Sequence, residues 1–364
     1  MFSAARVTVS LYAIHLQATP LEIGAVMALF GLVPMIFSVR AGRFIDAVGP
    51  RKPMLLGAVM VSAGVFVAFL LPSIRTLYAV SALVGSGFMF FGISVQNTVG
   101  FIGEPERRNA NFSLLALSLS TSAFLGPLAS GLAIDAFGHR SWFLVLALVP
   151  LVTIAALMSN RLGLHKFRRH AHVGKPKRLA DLFSERKVRF VFIITALQSI
   201  AWEMFQFVTP IYGSQIGLSA SAIGMVIASF ALATFIVRMA LTFVERNVPV
   251  FILLRSAVLL AACTYTLFPL VANAWFLAAL AFALGVGLGV TQPLVMTLLH
   301  NTVPEGRTGE AVGVRSTIIN TSQVAMPILF GALGTAFGVA PVYWAVAAVL
   351  AAGTKFVGAK PVRR

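Results

Sequence analysis

Of the eleven acidic residues, ten sit in polar stretches or at the ends of apolar ones, and Glu203 alone lies in the middle of an apolar run. A carboxylate away from water is costly, so such a residue is normally paired, functional or both. Apolar surroundings favour the protonated carboxyl, so Glu203 could take up a proton and release it elsewhere. A permanent pairing with a base is the alternative use. Arg6, also inside an apolar run, is the available base. It could hold an anionic group of a ligand or simply neutralise Glu203, and both uses stay open. Trp202 and Gln206 flank Glu203, and Gln96, Asn97, Gln292 and Asn320 are amides in other apolar runs. Amides in such places either orient a ligand or bridge helices. Ser316, Asn320 and Gln323 share one helical face at i, i+4, i+7 spacing. Arg315 lies one to two turns into its run, where it can snorkel or extend a positive field.

The elements that must position these residues are set by composition. Of 364 residues, 59% are hydrophobic and only 11% charged, too few to coat a water-exposed surface. A soluble enzyme of this size and a disordered chain are both excluded. Eleven segments have the length and apolarity of spanning helices: 21–40, 54–72, 76–99, 110–134, 141–159, 188–213, 220–243, 248–271, 274–299, 310–335 and 340–357. A shorter apolar run, 7–16, precedes them. Long alternating strands of barrel type are absent, so the spans read as helices. The single cysteine, Cys263, excludes an internal disulfide and a cysteine-based metal cluster. His165, His170 and His172 have no acidic or cysteine partner at ligand spacing, so they read as part of a solvated basic loop. No metal and no cofactor is expected.

The chain repeats itself at an offset of 200. Tyr12 matches Tyr212, Ile23-Gly24 matches Ile223-Gly224, and Pro127, Gly131, Ala136, Phe137 and Gly138 match Pro327, Gly331, Ala336, Phe337 and Gly338. Such matching points to a duplicated bundle of six plus six helices. The division is 1–159, a basic linker 160–187, and 188–364. By the repeat, the first helix should begin about twelve residues before Met1, so its inner end reads as truncated.

The net charge of +17 comes from 28 Lys and Arg against 11 Asp and Glu. With loops placed on alternate sides, 23 of the basic residues, Arg238 among them, fall on one side. Only Arg75 and Arg140 fall on the other; Arg6, Arg255 and Arg315 lie within spans. That bias is the positive-inside pattern and places both termini in the cytoplasm. The excess charge is therefore a topology signal and no nucleic-acid partner is expected.

After the second span comes Gly42-Arg-Phe-Ile-Asp46-Ala-Val-Gly49-Pro-Arg51-Lys52. It resembles the cytoplasmic loop signature of the major facilitator superfamily, with Ala47 replacing the usual arginine. The resemblance implies that Gly42, Asp46, Gly49, Arg51 and Lys52 form a loop that latches the two halves when the outside is open. Gly126-Pro127-Leu-Ala-Ser130-Gly131 resembles the antiporter motif of the same superfamily, with a serine for one glycine. It implies a hinge or seal at Gly126, Pro127 and Gly131, and Pro327 sits at the matching place in the second half. The fourth span lacks the arginine that proton-coupled members often carry before a Gly-x-Gly, here Gly85-Ser-Gly87. The resemblance further implies that helices 1, 4, 7 and 10 line a central cavity, with Arg6 and Glu203 facing each other across it.

The expected protein is therefore an all-α, multi-pass protein of the inner or plasma membrane with the major facilitator fold. It would act as a monomer and move a small molecule by alternating access, coupled to protons, with export ahead of uptake. Its partners would be that small molecule, protons and the lipid bilayer. An uptake permease for a small organic anion is the alternative within transport; a membrane sensor on a transporter scaffold is the alternative outside it. No Walker A, H-E-x-x-H, G-x-S-x-G or intramembrane carboxylate pair is present, so neither ATP-driven transport nor an enzyme is expected.

Overall fold

The computed structural model describes residues 1–101, 108–159, 185–244, 249–303 and 308–357. Most of the expected linker, including the three histidines at 165–172, lies outside the described residues. The first half contains α1 (Phe2–His15), α2 (Pro20–Val48), α3 (Arg51–Leu70), α4 (Ile74–Phe101) and a 51-residue run, Arg108–Met158. Gly138, at φ 78° and ψ 163°, breaks that run into two helices, α5 before it and α6 after it. The second half contains α7 (Arg186–Gln215), α8 (Ala220–Val244), α9 (Val250–Leu267), α10 (Ala274–Thr302), α11 (Thr308–Phe337) and α12 (Val339–Val357).

Nine stretches of the described residues are long and apolar enough to cross a membrane, and one of them, Leu114–Met158, holds both α5 and α6. The apolar part of α12, Val339–Thr354, is shorter. These are the eleven expected spans. Helices fit a lipid solvent because each one satisfies its own backbone polar groups.

The offset of 200 reappears as geometry. After α1 the turn is made by Leu16, with its N–H on Tyr12 O at 3.0 Å, and Gln17, at φ 60°. After α7 it is made by Ile216, on Tyr212 O at 3.1 Å, and Gly217, at φ 80°. Glycine adopts that left-handed region freely, whereas Gln17 does so at a cost. Thr19 and Glu22 then form a capping box that starts α2, and Ser219 Oγ accepts the Ala222 N–H to start α8. Inside the halves, Tyr12 meets Phe143 edge-on at 5.3 Å and Tyr212 meets Tyr343 edge-on at 5.6 Å. Phe137 and Phe337, each one residue before a positive-φ glycine, are 73% and 70% exposed. Aromatic rings at helix ends are stable at a membrane interface.

The halves meet where α2 packs on α11 and α5 on α8. Small residues allow these backbones to approach closely. A Cβ on Gly24 would collide with Pro327 O, and one on Gly224 with Pro127 O. Gly131 lies equally close to Ala220 O, and Gly331 to Pro20 O. Polar ties lie at the same end. Asp135 accepts the N–H groups of Ala220 and Ser221 at 3.1 and 2.8 Å, and Thr335 Oγ1 accepts the Leu21 N–H at 3.2 Å. The molecule is closed at the end that carries the α1–α2 and α7–α8 turns.

Candidate functional site

Beyond that seal, between the halves, lies a cavity of about 530 Å³. Small-molecule sites fall in this size range. Its walls come from α1 (Phe2, Ser3, Arg6), α5 (Ala116 to Pro127), α7 (Gln198 to Gln206), α8 (Phe230 to Arg238), α10 (Gln292) and α11 (Arg315 to Gln323).

Glu203 and Arg6 meet in its wall. Arg6 Nη2 lies 3.1 Å from Glu203 Oε2, with the two side chains 15% and 3% exposed. The partners come from different halves, 197 residues apart. A buried ion pair gains little net stability, but removing one partner strands the other charge. The pair is therefore a contact between the halves whose energetics depend on both charges being present.

Trp202, Gln206, Gln292 and Arg315 also line the cavity. Trp202 packs edge-on against Phe230 at 4.9 Å. Two anticipated amides, Gln96 and Asn320, are not among its lining residues. Gln96 is exposed on α4, and Asn97 has a side chain outside the described set. Asn320 lies beside the cavity face of α11, which is formed by Arg315, Ile319 and Gln323. Gln323 is common to this face and the anticipated one, while Arg315 and Ile319 stand where Ser316 and Asn320 are anticipated, each one residue, or about 100° of helix, away. Ser316 is exposed and folds its hydroxyl back onto Val312 O at 2.9 Å. Among the described residues none of α4 lines the cavity. The described lining comes from α1, α5, α7, α8, α10 and α11, where the resemblance implies helices 1, 4, 7 and 10. The reason is packing: Gly85 lies against the Phe30 backbone of α2 and Gly87 against Gly57 O of α3, which hold α4 to its own half.

Arg238 is the residue that sequence reading missed. Near the polar end of α8 it reads as one more loop arginine, yet it points into the cavity. Its Nη2 donates to Gln292 Oε1. The available signal was its position five residues inside the expected span 220–243.

The signature segment is largely helical. Gly42 and Asp46 belong to α2, Gly49 turns the chain at φ 81°, and Arg51 and Lys52 open α3. Arg51 donates from Nε to Leu157 O at 2.9 Å and from Nη2 to Met158 O at 3.2 Å, at the end of α6. Lys52 is exposed, and the Asp46 side chain lies outside the described set. In the other motif, Gly126 lies against Ala4 of α1, and Ser130 donates to Ala4 O at 3.3 Å. Pro127 and Pro327 present the carbonyls against which Gly224 and Gly24 pack.

The sequence profile of the Major Facilitator Superfamily matches residues 1–253 and 191–362. The chain belongs to this superfamily. Quinolone resistance protein NorA of Staphylococcus aureus is 22% identical over 355 residues, covering 93% of this chain and 88% of NorA. Multidrug resistance protein MdtG of Salmonella paratyphi A is 24% identical over 338 residues, covering 87% and 81%. Among solved structures, the nucleoside transporter NupG superposes with a TM-score of 0.80 at 12% identity, covering 98% of this chain and 96% of its own. A POT family transporter in complex with 5-aminolevulinic acid superposes at 0.78 and 17% identity, covering 97% and 92%. As a superfamily member with these spans, the chain is a multi-pass integral membrane protein.

Proposed function

We propose that this superfamily member is a secondary transporter that moves a small molecule by alternating access, with Glu203 coupling the movement to protons. The Arg6–Glu203 pair carries the reading, because it joins the two halves in the wall of the cavity between them. A proton on Glu203 releases Arg6 and weakens a cross-half contact; loss of the proton restores it. One titration thereby changes both the charge of the cavity and the energy of closure.

Residues 1–159 and 188–364 act as the moving halves and 160–187 as their cytoplasmic linker, in a monomer of the inner or plasma membrane. The positive-inside pattern puts both termini in the cytoplasm, so the sealed end faces outward and the cavity belongs to the inward-facing state. The names of the quinolone and multidrug resistance relatives support export over uptake.

The test is transport in proteoliposomes under an imposed pH gradient, with a panel of small molecules, comparing native protein with Glu203→Gln. Native protein is expected to accelerate with the gradient and the variant to ignore it. A variant that transports with its gradient dependence intact would overturn the coupling.

A further inference from the structure

We infer that Arg238 and Arg315 form the recognition site for the carboxylate of an amphipathic organic anion. The inference rests on the reading of the cavity as the transport site and names its substrate class.

Three guanidinium groups line the cavity: Arg6, Arg238 and Arg315. Among the described lining residues Glu203 is the one acid, and Arg6 already holds it. Arg238 and Arg315 are left without a carboxylate among the described residues. Arg315 is only 7% exposed, and its Nε is buried with no hydrogen-bond partner. Arg238 is turned toward the cavity by Gln292, and its Nε is likewise buried and unpartnered. Buried polar groups are almost always hydrogen-bonded, and a buried charge left without its counter-charge is costlier still. Two buried guanidinium groups with unpartnered Nε donors in one cavity are complementary to an anionic group.

The guanidinium fork matches a carboxylate in shape as well as charge, through paired N–H donors. Arg238 comes from α8 and Arg315 from α11, so a carboxylate between them would also bridge two helices that pack on opposite partners in the first half. Trp202, Phe230, Ile319 and Leu119 give the wall an apolar side, and the amides of Gln206 and Gln323 and the hydroxyl of Thr234 complete it. A ligand that fits both regions has a carboxylate at one end and an aromatic or branched aliphatic body at the other. A lipophilic cation would meet two unpaired arginines and a carboxylate that is already occupied.

The experiment holds the apolar body constant and varies the charge. Binding of 1-naphthoate, 1-naphthamide and 1-naphthylmethylammonium is measured calorimetrically on the purified full-length protein in detergent. Naphthoate is expected to bind at least about tenfold more tightly than either of the others. Arg238→Gln and Arg315→Gln are each expected to weaken naphthoate about tenfold while leaving naphthamide within about twofold. Naphthamide binding also reports that a variant is folded. Arg315→Lys should recover part of the loss, because the charge returns without the fork. Undetectable naphthoate binding, equal affinity for the amide, or tighter ammonium binding would each overturn the assignment; so would arginine variants with unchanged naphthoate affinity. The charge series needs only native protein, so a variant that fails to fold does not protect the proposal. Neither measurement uses a pH gradient. Naphthoate binding in a protein whose transport ignores the gradient would sink the coupling and leave this site standing, and gradient-driven transport of the ammonium would do the reverse.

Discussion

The carboxylate of Asp135 accepts the backbone N–H of Ser221 at 2.8 Å and that of Ala220 at 3.1 Å, tying the end of α5 to the first turn of α8. The repeat places Thr335 at the equivalent position, where it accepts a single bond from Leu21 at the start of α2. A helix N-terminus has free N–H groups and a positive dipole end, so the charged tie is the stronger of the two. Asp135→Ala should therefore weaken the outer seal by about 1–2 kcal/mol. Thr335→Ala should weaken it by less. Spin labels on cysteines replacing Phe137 and Gln215, in a Cys263→Ser background, report the separation. The expected outcome is a longer-distance population in Asp135→Ala that is smaller in Thr335→Ala. Identical distance distributions in all three proteins would count against the seal.

The Arg6–Glu203 pair makes a second prediction, about stability. Replacing Arg6 by Met leaves a carboxylate 3% exposed without its ion-pair partner. Breaking a buried pair from one side costs about 3–5 kcal/mol, whereas removing both charges is close to neutral. Arg6→Met should lower the melting temperature in detergent, and adding Glu203→Gln should restore most of it. A double variant as unstable as the single one would show that the arginine acts through packing rather than through its charge.

The fold was legible because its signals are long. Twenty-residue apolar runs, a fixed repeat offset and the glycines at 138 and 338 are features that a one-residue error cannot hide. The site depended on finer quantities. Glu203 and Arg6 were recoverable because a charge within an apolar run stands out from its neighbours. Asn320 was misjudged because one residue of rotation decides which side of α11 faces the cavity, and the faces of this helix differ little in polarity. Arg238 was lost in the loop count because a basic residue near a helix end looks the same whether it reaches water or turns inward. Gln96 failed for another reason: the glycines of α4 fix its packing, and sequence shows that they are small without showing what they touch.

Glycine contacts supply a third prediction, one that separates packing from switching. A side chain on Gly131 must enter the backbone of Ala220, while a Cβ on Gly42 meets nothing within 4 Å. Gly131→Val is expected to prevent the outer seal and shift the same label distances toward an open outer end. Gly42→Ala, in the interior of α2, is expected to stabilise the protein by about 0.5–1 kcal/mol, since alanine loses less backbone freedom in a helix. Thermal melting checks the second. If Gly42→Ala is stable but transports poorly, the glycine is needed in the conformation where the outer end is open.

Arg51 carries the last prediction. The family resemblance implies a latch between halves, whereas the bonds to Leu157 O and Met158 O lie within the first half, at the last carbonyls of α6. A cation there satisfies groups that the helix itself leaves unpaired and opposes the negative end of its dipole. Arg51→Ala should cost about 1–2 kcal/mol of stability, and Arg51→Lys less, because the charge remains while the two-pronged contact is lost. The two roles then separate in one comparison of melting temperature with initial transport rate. If Arg51 only caps α6, Arg51→Lys should lose little of either quantity. If it also latches the halves when the outer end opens, transport should fall much further than stability, and the label distances should show the outward-open population reduced.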